Sequence, residues 1–188
     1  MWRTLSLLLL LTATSTVLAQ PNIVFIFADD LGVGDVGAYG GELIDTPNIN
    51  ALASKGMLFE QAYASHPVCS PSRAGLMSGR YQQRHGWEFN PAARIETSGM
   101  DAKQITLADM LNASGYTTSM VGKWHLGYLP QFHPLNRGFD EYFGVLAGGS
   151  IFIDQSRPDV ESVGNWPLVR DRSKGVYDGR ALIEVEEY

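Results

Sequence analysis

Cysteine is almost absent from this chain: Cys69 is the only one in 188 residues. An intrachain disulfide framework is therefore excluded, and any chemistry of this thiol is unrelated to pairing within the chain. Positive charge is also scarce, with 14 Lys and Arg against 20 Asp and Glu and a formal net charge of −6. Nucleic-acid binders usually present a basic face, so that class is set aside. A small anionic substrate is not excluded, because a few local cations can outweigh the global sign. Internal repeats, low-complexity tracts and interdomain linkers are missing too. What remains, 45% hydrophobic and 18% charged, is the composition of a folded globular protein with room for one ordinary domain.

The first 19 residues read as a leader rather than as part of the fold. Arg3 supplies a positive start, Leu7 to Leu11 form an apolar core, and Val17-Leu18-Ala19 ends in small residues suited to cleavage before Gln20. The segment is too short, and too polar in its second half, for a membrane span. The expectation is a signal peptide over 1–19 and export to a periplasmic, extracellular or secretory and lysosomal space. In such a compartment an unpaired cysteine is either reactive or modified.

The surroundings of Cys69 point to a site. Cys69-Ser70-Pro71-Ser72-Arg73-Ala74-Gly75-Leu76-Met77-Ser78-Gly79-Arg80 predicts a helix. Pro71 suits its first turn, where a missing N–H costs nothing, and Gly79 suits the position just past its end. Cys69 then sits at a helix N-terminus, where free N–H groups and the helix dipole favour an anion. Arg73, one turn on, can return its guanidinium to the same place. Set against this is the ordinary role of a lone cysteine as a small buried apolar residue.

Upstream, Ile23-Val24-Phe25-Ile26-Phe27 is a continuous apolar run, the pattern of a strand buried on both faces of a parallel-type sheet. It ends in Asp29 and Asp30. Two adjacent carboxylates at the carboxyl end of such a strand either form a solvated turn or hold a hard divalent cation. Gly32-Val33-Gly34-Asp35-Val36-Gly37 matches a dinucleotide fingerprint in spacing only. Asp29, Asp30 and Asp35 would crowd a pyrophosphate, and Tyr39-Gly40-Gly41 denies it the helix start it needs.

Further on, Thr46-Pro47 opens a helix with Ile49, Leu52 and Ala53 on its apolar stripe and Gly56 at its end. Residues 57–63 read as a strand. His66-Pro67 reads as a rigid loop, and His85 and Trp87 are given no role. Thr106 caps another helix carrying Leu107, Met110 and Leu111, and 116–121 is a further strand. In Gly122-Lys123-Trp124-His125-Leu126-Gly127, an extended backbone projects Lys123 and His125 to one side. There they either clamp an anion and move a proton or mark a surface strand end. Residues 178–188 carry Ala181, Leu182, Val185 and Tyr188 at helical spacing and predict an amphipathic helix.

Several of these segments together resemble the type I, formylglycine-dependent sulfatases of the alkaline phosphatase superfamily. They are Pro21 to Gly32 with its metal turn, Cys69-Ser70-Pro71-Ser72-Arg73 with Leu76-Met77-Ser78-Gly79-Arg80, and Gly122 to Gly127. Arg137-Gly138-Phe139-Asp140-Glu141-Tyr142-Phe143-Gly144 also looks like the family's next segment, with a structural part to play. The resemblance covers residues 21 to about 147 and implies an α/β/α sandwich with a large mixed sheet. On that reading 20–188 is the N-terminal part of a catalytic domain whose remainder, with a smaller C-terminal domain, lies elsewhere. Such a part alone is expected to show no turnover.

The resemblance also implies a mechanism. A formylglycine-generating enzyme oxidises Cys69 to an aldehyde, whose hydrate is the nucleophile. Asp29, Asp30 and an oxygen of residue 69 hold a divalent cation, usually Ca2+. Arg73 stabilises the deprotonated hydroxyl, which attacks the sulfur of a sulfated small molecule or glycan. Lys123 holds sulfate oxygens, and His125 takes the proton of the second hydroxyl as sulfate leaves. The alternatives are a phosphate or phosphonate ester hydrolase on the same fold, and a non-catalytic anion- or glycan-binding remnant.

Overall fold

In a computed structural model of the chain, the structure describes residues 20–91, 99–149 and 176–183. The leader expected over 1–19 lies outside them. Among the described residues are three α-helices and four strands: α1 (Pro47–Lys55), α2 (Cys69–Ser78), α3 (Leu107–Ala113), β1 (Ser119–Lys123), β2 (Glu141–Val145), β3 (Val176–Asp178) and β4 (Ala181–Ile183). Short 3-10 turns punctuate the connecting chain. None of the described helices is long and apolar enough to cross a membrane.

The strands form one mixed sheet in the order β1-β2-β3-β4, with β1 and β2 parallel and the two later pairs antiparallel. The parallel pair closes unusually tightly at Gly122 and Gly144, which face each other in the register. A Cβ on residue 144 would lie 2.0 Å from the Gly122 carbonyl oxygen, so only glycine lets the two backbones approach this far. Pairing continues past the strand ends, where the Trp124 and His125 amides donate to the carbonyls of Val145 and Leu146. The 124–126 segment is thereby fixed at the carboxyl edge of the parallel strands, the edge where open α/β sheets bind ligands.

An apolar cluster holds α2 against this edge. Ala74 of α2 packs with Met100, Trp124, Leu126, Tyr142 and Leu146, all buried. Trp124 meets Phe139 edge-on at 6.2 Å, and its Nε1 donates to the Phe132 carbonyl at 2.8 Å, so its one polar atom is satisfied inside the core. Helix α3 begins with a capping box, with Thr106 accepting from the Asp109 amide and Asp109 accepting from that of Thr106. Caps of this kind contribute about 1 kcal/mol. Arg137 is buried and donates to the Gln104 carbonyl at 2.8 Å, tying the segment before β2 to the approach to α3.

Several expected elements are corrected. The helix expected over 178–188 is instead a hairpin as far as it is described, with β3 and β4 joined by Gly179-Arg180; residues 184–188 lie outside the described residues. Gly179 takes φ +59 at the first turn position, which suits a tight hairpin, and pairing of β3 with β2 outweighs a helical spacing of apolar residues. The run Ile23–Phe27 forms no strand, and Val24 stays 84% exposed. A continuous apolar run marks a segment able to be buried, but it becomes a strand only where a ladder accepts it. Residues 57–63 are likewise not a strand, and the one expected over 116–121 begins at Ser119.

Candidate active site

Helix α2 starts at Cys69 and stops at Ser78, with Gly79 just past its end in the left-handed conformation at φ +61, the place expected for it from the sequence. Cys69 is partly buried and unpaired. Its thiol meets the carboxamide of Asn90, whose Nδ2 lies 3.4 Å from Sγ. The same carboxamide accepts from the Ser70 amide at 3.0 Å, so a side chain 20 residues away supplies the cap that Val68 does not.

One turn along α2, Arg73 binds in two directions. Its Nη1 donates to the Lys123 carbonyl at 2.6 Å, and its Nη2 pairs with Asp29 Oδ1 at 3.2 Å. Lys123 Nζ takes the other Asp29 oxygen at 2.8 Å. The first expected acid, the α2 arginine and the β1 lysine thus meet at one carboxylate, although 94 residues separate Asp29 from Lys123. The Arg73 guanidinium also lies over the Phe27 ring, 5.3 Å from its centre, a favourable cation–π placement. Burial by itself would raise the Asp29 pKa. Hydrogen bonds and charge from Lys123 and Arg73 outweigh it and hold the carboxyl below its ordinary value.

His125 follows at the sheet edge. It is buried, and its backbone is left-handed at φ +60, so the simple picture of an extended segment projecting Lys123 and His125 together does not hold. Its ring packs on Gly148, where a Cβ would come within 2.4 Å of Cε1. Burial first, then the Lys123 and Arg73 charges, lower its pKa to about 4, against a partial pull upward from Asp29. The imidazole is therefore neutral near pH 7 and able to accept a proton. Its Nδ1 and the Nε of Arg73 are both buried and have no hydrogen-bond partner among the described residues. Unspent polar atoms of this kind mark a place where a further group belongs.

Metal binding is less complete. Asp30 follows Asp29 in a left-handed conformation, φ +54. Among the described residues, however, no three His, Cys, Asp or Glu side chains converge to hold an ion. Asp29 is 41% exposed at its side chain and offers hard oxygen donors. That suits part of a Ca2+ shell, which needs about six or more ligands.

Three side chains with no assigned part in the sequence reading belong to this region. Asn90 reaches residue 69, while Ser70 and Trp87 reach His125 through the Ser70 hydroxyl. Trp87 lies just beyond a 3-10 turn at Gln82–His85, and Asn90 three residues later. His85 instead meets the Ser78 hydroxyl at 3.3 Å, away from these contacts.

The chain as a whole has relatives. The family model described as Sulfatase matches residues 21–188. N-acetylgalactosamine-6-sulfatase of Canis lupus familiaris is 39% identical over 180 residues, covering 89% of this chain and 34% of that protein. The crystal structure of Ps i-CgsB superposes with a TM-score of 0.75 at 38% identity, over 87% of this chain and 37% of the other. BT4656, solved in complex with its substrate D-Glucosamine-2-N, 6-O-disulfate, superposes with a TM-score of 0.57 at 35% identity, over 68% and 23%. The chain spans about a third of the length of the curated relatives it matches. Its described part is a mixed α/β portion of the alkaline-phosphatase-like sulfatase fold. By the family match and by these relatives, the chain belongs to the sulfatase family.

Proposed function

We propose that the protein hydrolyses a sulfate ester of a sugar or other small molecule at residue 69, with Cys69 as the precursor of a formylglycine. The observation that carries this reading is the meeting of Asp29, Arg73 and Lys123 beside the helix that begins at Cys69. Two fixed cations at a helix start favour a bound oxyanion. The family name and the sulfated-sugar substrate of BT4656 support sulfate on a sugar as that oxyanion.

Each residue then has a physical task. Arg73, held by the Lys123 carbonyl and Asp29, keeps its charge near residue 69 and favours the ionised form of the nucleophile. Lys123 holds sulfate oxygens as negative charge builds on them. Neutral His125 receives the proton released as sulfate departs. Asp29 orients both cations, and with Asp30 and residue 69 it would form part of the shell of a divalent cation, Ca2+ on this reading. Such a cation supplies positive charge beside the nucleophile when bound. The expected leader over 1–19 delivers the protein to an exporting compartment, where a formylglycine-generating enzyme is the partner that modifies Cys69.

Modification is directly testable. Coexpressed with a formylglycine-generating enzyme, the peptide containing Cys69 is expected to appear in mass spectrometry as the aldehyde. Recovery of cysteine alone under those conditions would sink the proposal.

A further inference from the structure

We propose that Ser70, fixed by Trp87, is a positioning residue that sets the place of His125 relative to residue 69. The inference rests on the proton-accepting part given to His125 above. Ser70 is completely buried, and its hydroxyl is committed on both sides. It donates to the His125 carbonyl at 2.6 Å and accepts from Trp87 Nε1 at 2.8 Å. The indole N–H takes one lone pair of the hydroxyl, and its single hydrogen goes to the His125 carbonyl.

His125 needs such a hold. A non-glycine residue at φ +60 occupies a sparsely populated region at a cost of roughly 1–3 kcal/mol, and it persists only where its surroundings over-determine it. Here the surroundings grip both backbone polar groups. The amide donates to the Leu146 carbonyl at 3.1 Å, continuing the β1–β2 ladder, and the carbonyl accepts from Ser70 on the other side. The ring occupies the space that a side chain at residue 148 would need, where a Cβ would lie 2.4 Å from Cε1. Because Ser70 adjoins residue 69 and its own amide is bonded to Asn90, one residue links the helix start that bears the nucleophile to the backbone of the base. Misplacement of a reacting group by about 1 Å can cost about a hundredfold in rate, which is the scale on which such a link matters.

The test uses Ser70→Ala and Trp87→Phe in the full-length, formylglycine-bearing protein, with rates normalised to formylglycine content because residue 70 lies inside the modified motif. Trp87→Phe removes the indole donor while leaving Ser70 in place, and it decides the matter if Ser70→Ala does not fold. Loss of positioning is expected to lower kcat by about ten- to a hundredfold. kcat/KM is expected to hold within about twofold, since the proton transfer given to His125 follows departure of the alcohol. A merely structural hydroxyl would lower stability and leave this split unmoved. Independently of turnover, the His125 amide is expected to exchange its hydrogen about tenfold faster in the variants, with the Phe143 amide in β2 unaffected. Exchange at His125 no faster than wild type, or an unchanged kcat in a protein that turns over, overturns the proposal. Failure of the wild type to hydrolyse any sulfate ester would count against the proposed function alone, and the exchange measurement would still decide whether Ser70 holds His125.

Discussion

In the full-length protein, replacing Cys69 with alanine is expected to reduce sulfate-ester turnover by about 10⁴-fold or more while leaving the fold in place. The two halves of this expectation have separate causes. Cys69 is only partly buried, and its thiol makes no contact closer than 3.4 Å to Asn90 among its hydrogen-bonding partners. Alanine is a better helix former than cysteine, so the start of α2 survives and stability changes by about 1 kcal/mol or less. The chemistry has no such reserve, because residue 69 carries the attacking oxygen on the proposed reading. Arg73 and Lys123 can still bind sulfate but have nothing to deliver to it. Initial rates and thermal unfolding of the variant beside the wild type check both halves. A folded Cys69→Ala protein keeping a tenth of the wild-type rate would remove residue 69 from the mechanism.

The second large effect is expected at Asp29. Among the described residues its carboxylate is the acid that pairs with both Arg73 and Lys123, and both cations are far less exposed than it is, at 11% and 15% against 41%. Asp29→Asn keeps the shape and removes the charge, leaving two cations side by side with reduced compensation. Breaking a buried pair costs about 3–5 kcal/mol, and the exposure of Asp29 puts this site lower, at about 1–2 kcal/mol. Turnover is expected to fall by about 10³-fold, because both cations lose their fixed positions and, on the proposed reading, the divalent cation loses a ligand. Asp30→Asn separates these contributions, since neither described ion pair involves Asp30. It is expected to lower Ca2+ affinity and turnover with little loss of stability. Calorimetric Ca2+ titration and unfolding of both variants provide the check. Full Ca2+ binding in either one would remove that residue from the metal shell.

How far the sequence was legible depends on the range of the contact involved. Helix α2 was readable from Pro71 and Gly79 because caps and turns act within a few residues, and α3 from Thr106 for the same reason. Arg73, Lys123 and Asp29 could be nominated by residue type and motif. Their meeting at one carboxylate spans as many as 94 residues, and local spacing cannot express it. Ser70 was visible only as a position between Cys69 and Pro71, and Trp87 as an aromatic in a polar stretch. Their bond, and the one from Ser70 to His125 across 55 residues, exist only once α2 packs on Trp124 and Leu126. The left-handed backbone of His125 is also a product of tertiary contacts, and it defeated a reading based on alternation in an extended segment. The 178–183 region shows the reverse fault. There the helical spacing was real, but a glycine turn and a neighbouring strand took precedence.

Hydrolysis of a matched pair of aryl esters, one sulfate and one phosphate, tests the central claim most directly. The protein carries formylglycine at residue 69, verified by mass spectrometry in the same preparation. Sulfate and phosphate are both tetrahedral oxyanions, so Arg73 and Lys123 can hold either, and only the rates tell the two apart. The account predicts that kcat/KM for the sulfate ester exceeds that for the phosphate ester by about a hundredfold or more, and that the sulfate activity disappears in Cys69→Ala. Preference for the phosphate ester would contradict it, and so would binding of the sulfate ester with no turnover in the fully modified, full-length protein.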